Sequence, residues 1–362
     1  MGKPARWRVP WPRQGRADVT LNTAAIEAQA ELHHQYLLGL ELMVATREGP
    51  EVVGNWMFRL FRRQHEDKFL SSFRKLGLDG EPDAVACAKY HVLSNGVGGV
   101  AVEYMEESDT KAWVRFRYPR WMYDGAVICG VPVEASRGFL RGWYGQNGVS
   151  LGNPRLGFVC VSEDMTGQFG LCGYFREYDH ELSEDERLRF APDERPPPFD
   201  PAKQPEPPPG EWTAERFAKA NRNYAVEYIR NGVRELVHVL GQARALELCH
   251  LAARLTGLQH FRRMADAVGG ADGGPVEAAE FLAAMFAGMG DETRMEHSDD
   301  EAILHQTGLR IARGLEGAER ENLLSSWIEI WRGAIHSQRA FMTVDCDRDG
   351  EGLIWRIAPA TG

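Results

Sequence analysis

The groups best able to do chemistry gather between His91 and Asn153. His91 follows Tyr90, while Tyr123, Asp124 and Cys129 follow the corner Tyr118-Pro119-Arg120-Trp121, and Trp143, Tyr144, Asn147 and Asn153 lie in a glycine-rich run. An imidazole works as general base or acid near neutral pH, and a guanidinium holds a carboxylate through two parallel hydrogen bonds. His91 and Asp124 are therefore the candidates for activating water. Arg120, Tyr118, Trp121, Tyr123, Trp143 and Asn147 are the candidates for holding a substrate, because aromatic walls with a few polar groups suit a small-molecule pocket. His91 equally fits a histidine satisfied inside a helical core, and Arg120 a solvated arginine. Cys129 sits among Val127, Ile128 and Val131, which suits a small buried hydrophobe better than a nucleophile.

Positioning these side chains falls to an antiparallel hairpin. Val100 to Tyr104 alternates in character, and Ala112, Val114, Phe116 and Tyr118 oppose Trp113, Arg115 and Arg117, which is the period of half-buried strands. Glu106 to Thr110 supplies the turn. Before the hairpin, helical spacing runs from about Thr23 to Leu76 with a break at Gly49-Pro50, and a further helix spans Ala84 to Ser94. After it come a helix from Val133 to Trp143 and two more strands, Leu156 to Ser162 and Phe169 to Tyr178. Helices followed by an antiparallel meander make an α+β fold.

Nine of the nineteen prolines fall between Pro192 and Pro209, so 186–211 reads as an extended linker between a first copy at 23–185 and a second at 212–362. Helices are expected at 217–240, 243–255, 261–268 and 276–289. At an offset of 190, Met105-Glu-Glu-Ser-Asp-Thr-Lys-Ala112 aligns with Met295-Glu-His-Ser-Asp-Asp-Glu-Ala302, and element order repeats, so the halves read as divergent copies of one unit. The run Asp345-x-Asp347-x-Asp349-Gly350 begins like a calcium loop, but Arg356 stands where the bidentate carboxylate belongs, so it reads as a turn and no metal is expected.

Composition narrows the partners. A net charge of −10 over 362 residues argues against broad nucleic-acid binding. No apolar run has membrane-spanning length, and residues 1–22 form a basic, tryptophan-containing arm without a secretory core. Six scattered cysteines point to a reduced, cytoplasmic setting. No phosphate loop, GxSxG elbow or HExxH is present, and no cofactor is expected. Amphipathic first helices and the arm leave room for a homo-oligomer or a second subunit.

Each copy resembles the L-2-amino-thiazoline-4-carboxylic acid hydrolase-like family, which is similar to 4-vinyl-reductase-type ligand-binding domains. The resemblance rests on the corner Tyr118-Pro119-Arg120-Trp121 and the last hairpin, Gly170-Leu171-Cys172-Gly173-Tyr174-Phe175, with Tyr118 standing where the family has cysteine. It implies a pocket for a small carboxylate-bearing molecule and hydrolytic opening of a thiazoline-like ring; binding without catalysis, or a structural role in a larger enzyme, are the alternatives.

Overall fold

The computed structural model describes residues 21–97, 100–117, 120, 123–207, 213–270, 272–298 and 300–360. Tyr118, Pro119, Trp121 and the basic arm to residue 20 lie outside them. The fold is α+β. Its helices are α1 (Leu21–Glu48), α2 (Pro50–Lys75), α3 (Asp83–Val97), α4 (Val127–Gly130), α5 (Val133–Gly142), α6 (Asn147–Leu151), α7 (Ala214–Leu240), α8 (Gln242–Val268), α9 (Pro275–Met289) and α10 (Gly317–His336). Its strands are β1 (Val102–Ser108), β2 (Lys111–Phe116), β3 (Leu156–Ser162), β4 (Cys172–Glu177), β5 (Leu188–Phe190), β6 (Glu292–His297), β7 (Ala302–Thr307), β8 (Met342–Asp349) and β9 (Gly352–Pro359).

Two compact units form, and they do not follow the expected boundary at the prolines. The first comprises described residues within His65–Cys129 and Phe139–Phe217; the second comprises those within Thr20–Gln64, Gly130–Gly138 and Ala218–Gly362. The division falls inside α2, α4, α5 and the start of α7.

In the first unit the strand order is β1-β2-β4-β3-β5, antiparallel except for β5 on β3. The hairpin turn is tighter than expected, because β1 continues to Ser108 and leaves only Asp109 and Thr110 at the tip. Ala112, Val114, Phe116, Phe158, Cys160 and Phe175 face a core closed by Phe69 and Phe73 of α2 and by α3. Met105, Trp113, Val159, Val161 and Tyr174 make the opposite face apolar as well.

That second face explains why the proline-rich segment is not a solvated linker. Leu188–Phe190 joins the sheet, Ala191 donates its N–H to Cys160 O, and Ala191 and Phe199 pack on the apolar face. Prolines cannot donate to a ladder. Gln204 substitutes its side chain, accepting from Tyr104 N at 2.9 Å and donating to Tyr104 O at 2.8 Å on the edge strand β1. An edge strand is thereby blunted.

The second unit has the strand order β6-β7-β9-β8, the order of the first four strands of the other sheet. Trp327, Trp331 and Trp355 pack around Phe286 in its core. Asp345, Asp347 and Asp349 lie on β8, paired with β9, and among the described residues no group of three His, Cys, Asp or Glu side chains could hold a metal ion. No described helix is long and apolar enough to cross a membrane.

Glycine pairs let helices cross at backbone contact. A Cβ on Gly138 of α5 would lie 2.2 Å from Gly54 O of α2, and a Cβ on Gly333 of α10 would lie 2.0 Å from Arg254 O of α8. Gly257 supports the second crossing from the other side, with Ile330 O only 1.8 Å from a Cβ there. That contact accounts for the continuity of α8, which the sequence pattern divides at 256–260.

Candidate functional site

The site of the first unit is built from three pieces. Helix α3 presents Cys87, Tyr90 and His91 along one face, as spacings of three and four residues require. The glycine-rich connection delivers Tyr144 and, at the start of α6, Asn147. Gly148 makes this possible: a Cβ there would sit 2.5 Å from Leu156 O, so only glycine lets α6 lie against the start of β3. The third piece is the β3–β4 turn, which carries Glu163 and Asp164 and closes at Gly167, where a Cβ would lie 1.8 Å from Ser162 Oγ.

His91 is buried, and its ring lies parallel to Tyr144 at 3.9 Å and to Phe175 at 5.3 Å. Asn147 Nδ2 stands 3.0 Å from His91 Nε2. An amide nitrogen donates, so Nε2 accepts and the ring proton sits on Nδ1. Burial, reinforced by His65, holds the imidazole neutral, well below the usual histidine range. The Cys87 thiol, hydrogen-bonded to Asn147, is pushed up by burial and is no thiolate at neutral pH.

On the other side of Tyr144 lies a buried ion pair. Arg120 Nε donates to Asp164 Oδ2 at 2.9 Å, with 4% and 0% of the two side chains exposed. Arg120 Nη2 donates to Tyr123 Oη at 3.3 Å, and the guanidinium lies 4.4 Å from the Phe139 ring centroid. Burial works against this charge, but Tyr123 and Asp164 outweigh it and hold Arg120 protonated above its usual range. Burial raises the Tyr144 phenol, with Arg120 opposing, so its hydroxyl keeps its proton. Cys160 is pushed up to about 12 by burial, with Glu163 adding to the rise.

Tyr144 Oη and Asp164 Oδ1 here have no hydrogen-bond partner among the described residues. Asn147 Oδ1, across the ring stack, is in the same state. Buried polar groups are normally satisfied, and each exception calls for a reason. The arrangement offers a proton-bearing hydroxyl, a carboxylate oxygen able to accept and a fixed positive charge, walled by Phe139, Phe158 and Tyr123. Comparison with known protein families, curated proteins and solved structures finds no match.

Of the candidates read from sequence, the structure brings Arg120 and Tyr123 together at Asp164, and His91 and Asn147 together at Tyr144. Trp143 is half-buried and meets His65 edge-on at 5.3 Å. Asp124 lies exposed in the turn after Tyr123 and away from His91's hydrogen bonds. Tyr118 and Trp121 are outside the described residues. Asp164 was missed because Glu163-Asp164-Met165-Thr166-Gly167 has the composition of an ordinary turn. His65, bonded to Ser150 Oγ at 3.0 Å and stacked on Phe69, carried no motif that could reveal it.

Neutral buried imidazoles make folding sensitive to acid. Burial lowers His33 to about 3 and His34 to about 4, and lowers His91 as well. Above about pH 6.5, where unfolded histidine titrates, neither state binds the proton and their contribution is fully present. From 6.5 down towards 4 the unfolded chain takes up protons that the folded chain refuses, so each imidazole removes up to about 1.4 kcal/mol per pH unit. Asp291, raised to about 6 by burial, acts in the opposite sense below that pH and offsets one of them. A loss on the order of 3 kcal/mol between pH 7 and pH 5 is expected, read as a lower urea midpoint; equal midpoints would contradict it.

Proposed function

We propose that the first unit binds a small carboxylate-bearing heterocycle at the Arg120, Asp164 and Tyr144 cluster. What carries the reading is the pair of buried atoms, Tyr144 Oη and Asp164 Oδ1, that lack partners among the described residues beside a charged guanidinium. A ring N–H would donate to Asp164 Oδ1, Tyr144 Oη would donate to the ligand, and Arg120 would orient the carboxylate. The resemblance to the thiazoline-carboxylate hydrolase family supports the same ligand class.

Hydrolysis is the second reading, drawn from the family resemblance: Asn147 would have to release His91 Nε2, the acceptor of the neutral ring, before it could take a proton from water. Water would add to the ring carbon between nitrogen and sulfur, and cleavage of the carbon–sulfur bond would release a thiol. A screen of small heterocyclic carboxylic acids by thermal shift, followed by thiol detection, separates the readings. Binding with thiol release that His91→Gln abolishes while binding survives supports the hydrolase. Binding without release supports a ligand-binding protein. No shift with any acid, from well-folded protein, would count against the site.

We also infer a tandem duplication. The shared strand order, the aligned segments at Met105 and Met295, and corresponding glycine crossings of α2 on α5 and of α8 on α10 support it.

A further inference from the structure

In the second unit, arginine again follows the second strand of the first hairpin. Arg310 comes three residues after β7, as Arg120 comes four after β2, and the offset of 190 lays one on the other. Its surroundings differ. Arg120 meets a carboxylate, whereas Arg310 meets Arg222 of α7: a Cβ built on Gly290 would lie 3.1 Å from Arg310 Nη2 and 3.6 Å from Arg222 Nη1. Arg313 adds its charge to both.

Part of this clustering is structural. Arg222 Nη1 donates to Gly288 O at 3.1 Å and Arg310 Nε to Met289 O at 2.6 Å, so both cap the carbonyl end of α9, where cations are favoured. Arg222 is buried, and its remaining donors reach Asn223 Oδ1. Capping does not occupy Arg310 Nη1 and Nη2 or the Arg313 guanidinium, which have no acceptor among the described residues. Asp291 is the neighbouring carboxylate, but its oxygens accept from Arg310 N at 2.9 Å and Gln306 Nε2 at 2.8 Å, not from a guanidinium. Three positive groups therefore face one negative. Arg313 is exposed and lines a surface cleft of about 520 Å³ with Leu309, Ala312, Glu316, Arg320 and Glu351, a lining that includes neither Arg310 nor Arg222.

We propose that Arg222, Arg310 and Arg313 form a binding site for a small oxyanion, a phosphate or a carboxylate, separate from the site of the first unit. Arg310 Nη1 and Nη2 supply a fork; Arg313, one 3-10 turn on with its N–H on Arg310 O at 3.2 Å, adds a second charge, and Arg222, on the other side of the Gly290 contact, adds a third. Guanidiniums suit oxyanions because their planar donors match two oxygens at once.

The test is the melting midpoint of the full chain in chloride, inorganic phosphate or succinate at equal ionic strength. Because the Arg313 side chain is exposed and makes no hydrogen bond among the described residues, the bonds of Arg313 running through its backbone, Arg313→Gln should fold with an unchanged midpoint in chloride; Arg310→Lys, which keeps a charge but loses the fork, is the second variant. A saturable rise with phosphate alone assigns a phosphate ligand, and one with succinate alone a carboxylate. In either case apparent affinity should fall about fivefold or more in both variants, the effect of losing one charge-assisted contact. Equal midpoints in all three salts, or equal rises in wild type and Arg313→Gln, would overturn the site and leave the arginines as caps of α9.

Discussion

Asp164→Ala is expected to destabilise the protein by about 3 to 5 kcal/mol, the usual consequence of removing one partner from a buried ion pair. The magnitude follows from enclosure: neither side chain of the pair is more than 4% exposed. An exposed pair would be worth under about 1 kcal/mol. Replacing both partners, as Arg120→Met with Asp164→Leu, should recover most of the loss, because the penalty lies in the stranded charge and not in a missing attraction. Urea unfolding of the three variants reads this directly. A single-variant loss below about 1 kcal/mol would mean that water reaches the guanidinium.

The second large effect is expected at Gly257. Valine there would drive its Cβ to 1.8 Å from Ile330 O and 2.9 Å from Ala334 N, both backbone atoms of α10 that no rotamer change can move aside. Relief requires α8 and α10 to separate, which loosens Trp327 and Trp331 against Phe286. Overpacking costs about 1 to 3 kcal/mol and more where backbone must shift, while the gain in helix propensity over glycine is below about 1. Gly257→Val should lose about 3 kcal/mol in a calorimetric or urea measurement. A variant as stable as wild type would show that the helices do not touch at this point.

Gly257 also shows why some of the fold was hard to read. Glycine inside a helical pattern looks like a break, so the apolar spacing of α8 divides at Thr256 to His260; the helix continues because the glycine serves a crossing that only tertiary structure defines. The break at Gly49-Pro50 was legible because it is purely local: Gly49 has φ +90°, which glycine adopts without strain, and Pro50 opens the next helix. Strands β2 and β3 were legible through alternation and apolar runs. The packing of the proline-rich segment was not. It depends on Phe199 and Gln204 finding an apolar face and an edge strand a hundred residues away in sequence. At the site, Arg120, Tyr123, His91 and Asn147 stood out by residue type. Asp164 did not, since nothing local distinguishes a turn aspartate that pairs with a buried arginine from one that faces water.

If the buried cluster in the first unit exists for a ligand, Tyr144→Phe will separate ligand binding from stability. Removing a hydroxyl that has no partner among the described residues should leave the unliganded protein as stable as wild type or more so, by up to about 1 kcal/mol, because an unsatisfied buried polar atom disappears. The same change should weaken binding of a heterocyclic carboxylic acid about 5- to 30-fold in a calorimetric titration, the effect of one lost hydrogen bond. A destabilised variant that binds the acid as tightly as wild type would contradict the account and make Tyr144 a residue of the fold alone.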